Sequence, residues 1–197
     1  MKYGGSILDK NVSVRRVLVV GSSGAGKTTF ARELADCLAV PHVELDAIFH
    51  QPNWQELPRD EFRAAMIIRI AEPGWVVDGN YSQVQDLVLA RADSLVWLDY
   101  SRAVVMRRIV PRTVTRVVRR QELWNGNLEP WRNLWSTDPQ RSVIAWSWTR
   151  HRDLRQRYEH LVADTGYSHL RVIRLDSPRS ARQFLAGMHT GALDSLG

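Results

Sequence analysis

The sequence predicts an α/β protein in which a parallel sheet is packed between helices. The first observation is a glycine-rich loop at residues 21–28 that follows a short apolar run and precedes a helical pattern. The second is that further short apolar runs alternate with helical patterns along the chain, which is typical of parallel strands joined by helices. A length of 197 residues fits one such domain with one sizeable insertion.

The glycine-rich loop has the G-x-x-x-x-G-K-T pattern of a phosphate-binding loop, in the strand–loop–helix context that this motif requires. Residues 16–20 are typical of a buried parallel strand, and residues 28–38 carry apolar side chains at helical spacing. Glycines let the backbone aim N–H groups at phosphate oxygens, and the helix N-terminus adds a partial positive charge. We therefore predict that a nucleoside triphosphate is bound by Gly21, Ser22, Ser23, Gly24, Ala25, Gly26, Lys27, Thr28 and Thr29.

Two side chains of this loop have predicted chemical roles. Lys27 should reach the β- and γ-phosphates, and the Thr28 hydroxyl should coordinate Mg²⁺. The sequence thus implies ATP and Mg²⁺ as the cofactors.

Acidic residues end three of the predicted strands. The second strand, residues 41–46, ends in Asp46; the third begins at residue 75 and reaches Asp78 at its carboxyl end; the fourth, 94–99, ends in Asp99. Ligands of open parallel sheets gather at the carboxyl ends of the strands. We therefore expect Asp46 or Asp78 to have a metal or catalytic role, with the division between them open, and Asp99 to be structural.

The elements between and after these strands follow from ordinary helix signals. One helix opens at Pro58 and is stopped by residues 72–74, another begins near Ser82, and a last helix follows the fifth strand, 170–175, and runs to about residue 188. The loop at 49–54 is rich in groups that could stack on a substrate or hydrogen-bond to it, and a packed surface loop is an equally open interpretation.

The segment from residue 102 to residue 157 carries most of the positive charge. It has thirteen arginines against four acids, a net charge of +9, whereas the whole chain carries +6. A helix over 101–110 should kink or end at Pro111, yet the three- and four-residue spacing beyond it would line arginines on one face of a near-continuous helix. Such a row of arginines is usually a basic helix face that is exposed to solvent. We favour a phosphate-facing lid, because the charge far exceeds what local acids can pair. The aligned arginines are Arg108, Arg112, Arg116, Arg119 and Arg120.

Five of the eight tryptophans lie in the same insertion. We expect them to form a small core for it, and the alternative is a base-stacking surface for nucleic acid. A second basic helix, over 149–162, should return the chain to the sheet. The tryptophans are Trp124, Trp131, Trp135, Trp146 and Trp148, and a turn is predicted at 137–139.

Composition sets the remaining expectations. The chain has no apolar run of membrane-spanning length and no signal-peptide core near its N-terminus, and its single cysteine, Cys37, suits a reducing compartment. We expect a cytoplasmic protein without a membrane partner, a disulfide or a structural metal.

The order of these motifs, over about residues 14–185, resembles the adenylate-kinase-like branch of the P-loop NTPases, and more narrowly the DNA topology modulation proteins. The narrower resemblance rests on L-D at 45–46 with a following H-Q-P-N-W, on V-D-G-N-Y at 77–81, and on R-Q-E-L-W-N-G-N at 120–127. It implies a three-layer α/β/α P-loop NTPase fold with a five-stranded parallel sheet in the order 2-3-1-4-5. A single domain, 1–197, would then consist of a core, about 14–105 and 158–189, and an arginine-rich helical lid, about 106–157.

The resemblance also implies roles for individual residues. Asp78 matches the acid that anchors Mg²⁺ through water, beside Thr28. Arg108 and Arg112 match the pair that begins a kinase lid, one against adenine and one on phosphate. Arg157, together with Arg150, matches the returning lid arginines that stabilise the transferred phosphoryl group. The loop over the adenine would contain Ser177, Pro178 and Arg179.

One departure concerns the phosphoryl acceptor. Nucleoside monophosphate kinases usually follow the Asp-Gly of the third strand with an arginine that grips the acceptor phosphate, whereas this chain has Asn80 and Tyr81 there. The acceptor is either a nucleotide held by Arg59 or Arg63 or a different small molecule.

The sequence thus favours an Mg·ATP-dependent phosphotransferase. Its catalytic residues would be Lys27, Asp46, Arg108, Arg112 and Arg157. The alternatives are an ATP-switched DNA-binding protein and an ATPase without a dedicated acceptor, and the oligomeric state stays open.

Overall fold

Five parallel strands form one sheet in the order β2-β3-β1-β4-β5, which confirms the predicted fold. The computed structural model of the chain describes residues 15–131, 136, 138 and 142–194, with side chains up to residue 189. The strands are β1 Arg16–Gly21, β2 His42–Glu44, β3 Trp75–Asp78, β4 Ser94–Leu98 and β5 Arg171–Leu175.

Seven α-helices connect and flank these strands in the described part of the chain. They are α1 Lys27–Leu38, α2 Leu45–Phe49, α3 Arg59–Arg69, α4 Ser82–Arg91, α5 Arg102–Val118, α6 Val143–Ala163 and α7 Pro178–Asp194. None of the helices in these ranges is long and apolar enough to cross a membrane.

The side chains of β1 alternate between two apolar cores, one on each face of the sheet. Leu18 and Val20 belong to the core that includes Phe62 of α3 and Val88 of α4. On the other face the core combines residues of β1 with residues of α1, α5 and α7, among them Val17, Val19, Phe30, Leu34, Val105 and Phe184. This arrangement is the three-layer α/β/α architecture that the sequence predicts.

The carboxyl ends of β1 and β4 lie so close together that glycine is required there. A Cβ atom on Gly21, whose φ is 145°, would stand 2.6 Å from the Leu98 carbonyl oxygen. A Cβ on Gly24, whose φ is 91°, would stand 2.9 Å from the Ile109 Cβ. The phosphate-binding loop therefore packs directly under α5, and α5 brings its arginines to the loop.

Three element boundaries differ from the sequence prediction. Helix α5 does not end at Pro111, because Ile109 and Thr113 on either side of it are buried and their packing holds the helix together. Asp46 lies in the first turn of α2, since the pairing of β2 with β3 ends where Glu44 stands opposite Asp78. Helix α6 begins six residues earlier than predicted, after the Ser142 side chain accepts a hydrogen bond from the Ala145 N–H.

Candidate active site

A cleft of about 1810 Å³ opens at the carboxyl ends of the strands. The phosphate-binding loop lines one part of it, the segments after β2 and β3 line another, and α5, residues 121–130 and the start of α6 cover it. Pockets for one small molecule usually measure about 300–1,000 Å³. The cleft is therefore large enough for two ligands side by side.

The phosphate-binding loop has the backbone geometry that its glycines permit. Gly24 and Gly26 both have a φ of 91°, in the left-handed region that other residues rarely adopt. Lys27 Nζ donates hydrogen bonds to the carbonyl oxygens of Gly21, at 2.9 Å, and Ser22, at 3.4 Å. Burial lowers the pKa of Lys27, and the carboxylates of Asp46 and Asp78 oppose this change.

The two predicted metal ligands lie in direct contact. The Thr28 hydroxyl donates to Asp78 Oδ2 over 2.9 Å, and His42 Nε2 lies 2.8 Å from the other oxygen of this buried carboxylate. Hydroxyl and carboxylate oxygens are the ligands that Mg²⁺ prefers. The described residues contain no cluster of three acidic, His or Cys side chains able to hold a metal alone. The donors present fit an Mg²⁺ that keeps waters and shares substrate phosphates.

Glu44 lies beside Thr28 and Asp78, and the sequence analysis did not identify it as a site residue. Its Oε1 lies 3.2 Å from the Thr28 hydroxyl. Burial raises the pKa of Glu44, a hydrogen bond from Trp124 opposes the rise, and the negative charge of Asp78 adds to it. Glu44 faces Asp78 through the register of β2 with β3. The only sequence signal is its position as the last residue of β2. A divalent cation would lower the electrostatic cost of so many carboxylates in one place.

Asp46 is held by a short chain of hydrogen bonds. The Tyr81 hydroxyl donates to Asp46 Oδ1 over 2.5 Å, and His50 Nε2 lies 3.2 Å from the same hydroxyl oxygen. Because the phenol proton points at Asp46, Nε2 is the donor in the second contact. Burial lowers the pKa of His50. Burial first, and the charge of Asp46 second, raise the pKa of Tyr81 far above its usual range, so the phenol stays protonated.

Two of the predicted lid arginines lie over the phosphate-binding loop. Arg108 Nη1 donates to the Ala25 carbonyl over 2.8 Å, and its guanidinium stands 5.8 Å from the centre of the Tyr100 ring. Arg112 lines the cleft, and its buried Nε has no hydrogen-bond partner. Burial and the charge of Arg116 lower the pKa of Arg112, and Glu129 and Asp46 oppose them. Arg116 also lines the cleft.

The returning helix contacts the phosphate-binding loop through a serine. Ser147 Oγ donates to the Ser23 carbonyl over 2.8 Å. Arg157 donates instead to Gln85 Oε1 of α4 and does not line the cleft, and exposed Arg150 stands 3.5 Å from Asp153. The structure therefore does not bring Arg157 together with the other predicted catalytic residues.

The loop predicted to cover adenine lies at the start of α7. Ser177 Oγ accepts from the Ser180 N–H, and Pro178 begins the helix. Neither these residues nor Arg179 line the cleft. Burial raises the pKa of Tyr100, Arg108 lowers it, and Asp176, just before Ser177, raises it more weakly. Asp176 and Arg108 thus both lie within electrostatic reach of Tyr100.

A turn at residues 122–128, which we call the lid turn, docks on the loop at 50–56, which we call the α2–α3 loop. Asn127 Nδ2 donates to the Gln51 carbonyl over 2.9 Å, and its Oδ1 accepts from the Trp54 N–H over 2.8 Å. Asn125 Nδ2 donates to the His50 carbonyl over 2.6 Å. The Trp124 ring stacks on His50 with 5.7 Å between the ring centres. The lid turn therefore closes the Asp46 end of the cleft.

The residues considered for an acceptor phosphate have other partners or lie elsewhere. Asn80 Nδ2 donates to the Gly21 carbonyl over 2.7 Å, and its Oδ1 accepts from Tyr158, so it fastens β3 to the phosphate-binding loop. Arg63 makes two hydrogen bonds to the Asp86 carboxylate, at 2.7 and 2.8 Å. Arg59 is exposed and does not line the cleft.

Asp99 and the tryptophans complete the comparison with the sequence prediction. Asp99 accepts a hydrogen bond from Arg174 over 2.9 Å, as its expected structural role requires. The four described tryptophans do not form a shared core, so that prediction is wrong for them. Trp131 and Trp148 are 70% and 53% exposed, because their segments cross the surface, whereas Trp124 and Trp146 line the cleft. Trp135 and the turn predicted at 137–139 fall on or next to residues outside the described ranges.

Solved structures that are similar to this chain include two shikimate kinases. A shikimate kinase from Bacteroides thetaiotaomicron is 15% identical, with a TM-score of 0.52 and coverage of 89% of this chain and 97% of that one. A shikimate kinase from Acinetobacter baumannii in complex with shikimate is 16% identical, with a TM-score of 0.50 and coverage of 92% and 94%. The fold is that of the P-loop kinases.

A third similar structure is a gluconokinase from Sinorhizobium meliloti 1021, 20% identical, with a TM-score of 0.46 and coverage of 93% of this chain and 96% of that one. No protein-family model matches the chain, and no curated protein does. The narrower resemblance to DNA topology modulation proteins is not shown by these comparisons.

Proposed function

We propose that this chain is an Mg·ATP-dependent phosphotransferase that acts on a hydroxyl group of a small molecule. The observation that carries the proposal is the position of Asp46, which lines the same cleft as Lys27 and the phosphate-binding loop, and whose charge opposes the lowering of the Lys27 pKa by burial. A base opposite a phosphate-binding loop is the arrangement that phosphoryl transfer to a hydroxyl needs.

The phosphate side of the cleft suits ATP. The loop offers backbone N–H groups and Lys27, and α5 adds Arg112, which lines the cleft, and Arg108, which donates to the Ala25 carbonyl of the loop without lining the cleft. Thr28 and Asp78 would hold Mg²⁺, which supplies charge neutralisation between the phosphates when bound. The loop at residues 177–179 would border the adenine.

The transfer step follows from the positions of these groups. The free oxygen of Asp46 accepts the proton of the acceptor hydroxyl, because Tyr81 occupies the other oxygen. The acceptor oxygen forms a bond to the γ-phosphorus while the bond from that phosphorus to the bridging oxygen breaks, and ADP leaves with the electron pair. Lys27 and Arg112 stabilise the charge on the transferring group. The docked lid turn excludes water that would otherwise compete with the acceptor.

A direct experiment is transfer of the label from γ-labelled ATP to a pooled set of metabolites, followed by chromatography. We expect labelled product with the wild type and none with Lys27→Ala. Exposed Arg107, which lies on α5 outside the cleft, provides the control Arg107→Ala, and this variant should behave as the wild type. Circular dichroism checks that Lys27→Ala is folded. Turnover near that of the wild type in Lys27→Ala would remove the loop from the reaction.

Exposed aromatic and basic groups favour DNA binding as a second candidate. Trp131 and Trp148 are exposed, and the Arg102 guanidinium stands 4.8 Å from the centre of the Trp148 ring. A DNA-binding role predicts duplex affinity that falls with salt at a slope of about −0.9 per phosphate contacted. Arg102→Ala should then reduce that slope by about one unit. Binding that disappears at physiological salt would instead reflect only the basic surface.

A further inference from the structure

The segments around Asp46 carry negative charge and no positive charge. Residues 44–56 and 79–85 contain no lysine and no arginine. Three carboxylates from the first segment line the cleft, those of Glu44, Asp46 and Glu56. A phosphate monoester carries about −1.5 to −2 charges at neutral pH, so it would be repelled here unless cations lay close by. The Asp46 end of the cleft is therefore unsuited to a phosphorylated acceptor.

The basic residues that follow these segments in the sequence do not offset the negative charge at the Asp46 end of the cleft. Arg63 is paired with Asp86, and Arg59 lies outside the cleft lining. Three arginines do line it, Arg32 of α1 and Arg112 and Arg116 of α5, but five carboxylates line it as well, and that of Glu129 lies within electrostatic reach of both arginines of α5. The proposed function, moreover, uses Arg112 for ATP.

A positively charged acceptor would find Asp46 already engaged. Lys27 and Arg112 line the same cleft as Asp46, whose charge opposes the lowering of their pKa values by burial. An ammonium group would therefore compete with two cations for one carboxylate. The chemistry at Asp46 is best matched by an uncharged group that donates hydrogen bonds.

The rest of the cleft surface at the Asp46 end is formed by aromatic side chains. His50 and Trp124 are stacked, and Trp54 meets them edge-on with ring centres 5.2 Å from His50 and 6.3 Å from Trp124. Burial lowers the pKa of His50, so this ring is uncharged at neutral pH. Carboxylates accept hydrogen bonds from hydroxyl groups, and flat apolar rings pack against C–H faces. Together they fit a compact molecule with many hydroxyl groups.

We propose that the acceptor is an uncharged sugar or polyol without a phosphate group, bound between the α2–α3 loop and the lid turn. This inference rests on the proposed function and names the substrate class of the same site. Hydroxyl groups of the acceptor donate to Glu56 and Asp46, and one face of the molecule packs on Trp124.

The first test is an acceptor panel assayed with Mg·ATP. It contains uncharged sugars and polyols such as glucose, ribose, glycerol and inositol, the phosphorylated compounds glucose 6-phosphate and AMP, and the amine glucosamine. We expect at least one uncharged compound to raise ADP formation more than tenfold above the rate without acceptor. Transfer to the phosphorylated compounds or the amine alone, or no response to any uncharged compound, overturns this inference.

The second test uses a matched pair of glutamates. Glu56→Gln should raise the KM for the active polyol about tenfold and leave the KM for ATP unchanged. Glu61 is an exposed residue of α3 outside the cleft, and Glu61→Gln should change neither KM value. Equal KM values for the polyol in both variants would contradict the inference. If transfer depends on Lys27 but goes to a phosphorylated acceptor, the substrate class is wrong and the proposed function stands. If no transfer depends on Lys27, the proposed function itself fails.

Discussion

The Tyr81 phenol donates a hydrogen bond to Oδ1 of Asp46 across 2.5 Å, and this contact joins the segment after β3 to α2. Asn80 and Tyr81 follow Gly79 directly after β3. Asn80 holds the phosphate-binding loop and Tyr81 holds the proposed base. Two adjacent residues thus fix the phosphate-binding loop and the Asp46 carboxylate.

Tyr81→Phe should lower kcat by about 10- to 100-fold with little change in the KM for ATP. The variant loses a hydrogen bond to a charged group, which is worth about 1.5–3 kcal/mol, and Asp46 is then free to rotate. Steady-state kinetics with varied ATP and acceptor measure the change. Tyr167→Phe, in a turn before β5, is the control and should be neutral. An unchanged kcat in Tyr81→Phe would exclude Tyr81 as a positioning residue.

Mg²⁺ titrations should distinguish the proposed metal ligands from the proposed base. Asp78→Asn weakens a proposed Mg²⁺ ligand and should raise the Mg²⁺ concentration needed for half-maximal rate, and Thr28→Ala should be partly rescued by excess Mg²⁺. Asp46→Asn removes the proposed base and should lower kcat at every Mg²⁺ concentration. Superimposable titration curves for Asp78→Asn and Asp46→Asn would refute this division of roles.

The lid turn provides a test of water exclusion. Asn127 is buried and bonds to Gln51, Trp54 and Trp124, so Asn127→Ala removes three hydrogen bonds and should weaken the closed state by about 1–3 kcal/mol. We expect a higher KM for the acceptor and a larger share of ATP hydrolysed without transfer. The ratio of free phosphate to phosphorylated product measures this share. Asn53→Gly, at an exposed position with a φ of 60°, should leave the ratio unchanged.

The sequence predicts the parts of this site that depend on local pattern. The phosphate-binding loop, Thr28 and Asp78 follow from a motif and from strand ends. In the structure Thr28 contacts Asp78, and the binding roles of the two residues stay predictions. Glu44 could not be found in this way, because its contact with Thr28 depends on the register of β2 with β3.

The lid turn and Arg157 illustrate the same limit. Asn127 meets Trp54 across 73 residues of chain, and no local pattern encodes such a contact. Helical spacing in the returning helix does not say which of its faces meets the cleft. In the structure the face with Ser147 contacts the phosphate-binding loop, and Arg157 faces α4.

The arginines should therefore differ in their effects. Loss of one preorganised charge contact costs about 2–4 kcal/mol of transition-state stabilisation, and we expect this for Arg108→Ala and Arg112→Ala. Arg157→Ala should lower kcat/KM less than threefold, since its guanidinium bonds to Gln85, and Arg107→Ala should have no effect. A loss in Arg157→Ala as large as that in Arg112→Ala would mean that Arg157 moves into the cleft during turnover.

The central claim is that the cleft transfers the γ-phosphate to a hydroxyl through Asp46. The most direct measurement is phosphorus NMR of the wild type with Mg·ATP and an acceptor identified from the panel, compared with Asp46→Asn. The account predicts that a phosphate-ester signal grows in step with ADP in the wild type and grows at least 100-fold more slowly in Asp46→Asn, on the order of the contribution of a general base. ADP accompanied only by inorganic phosphate, or an ester signal that is equal in both proteins, would contradict it.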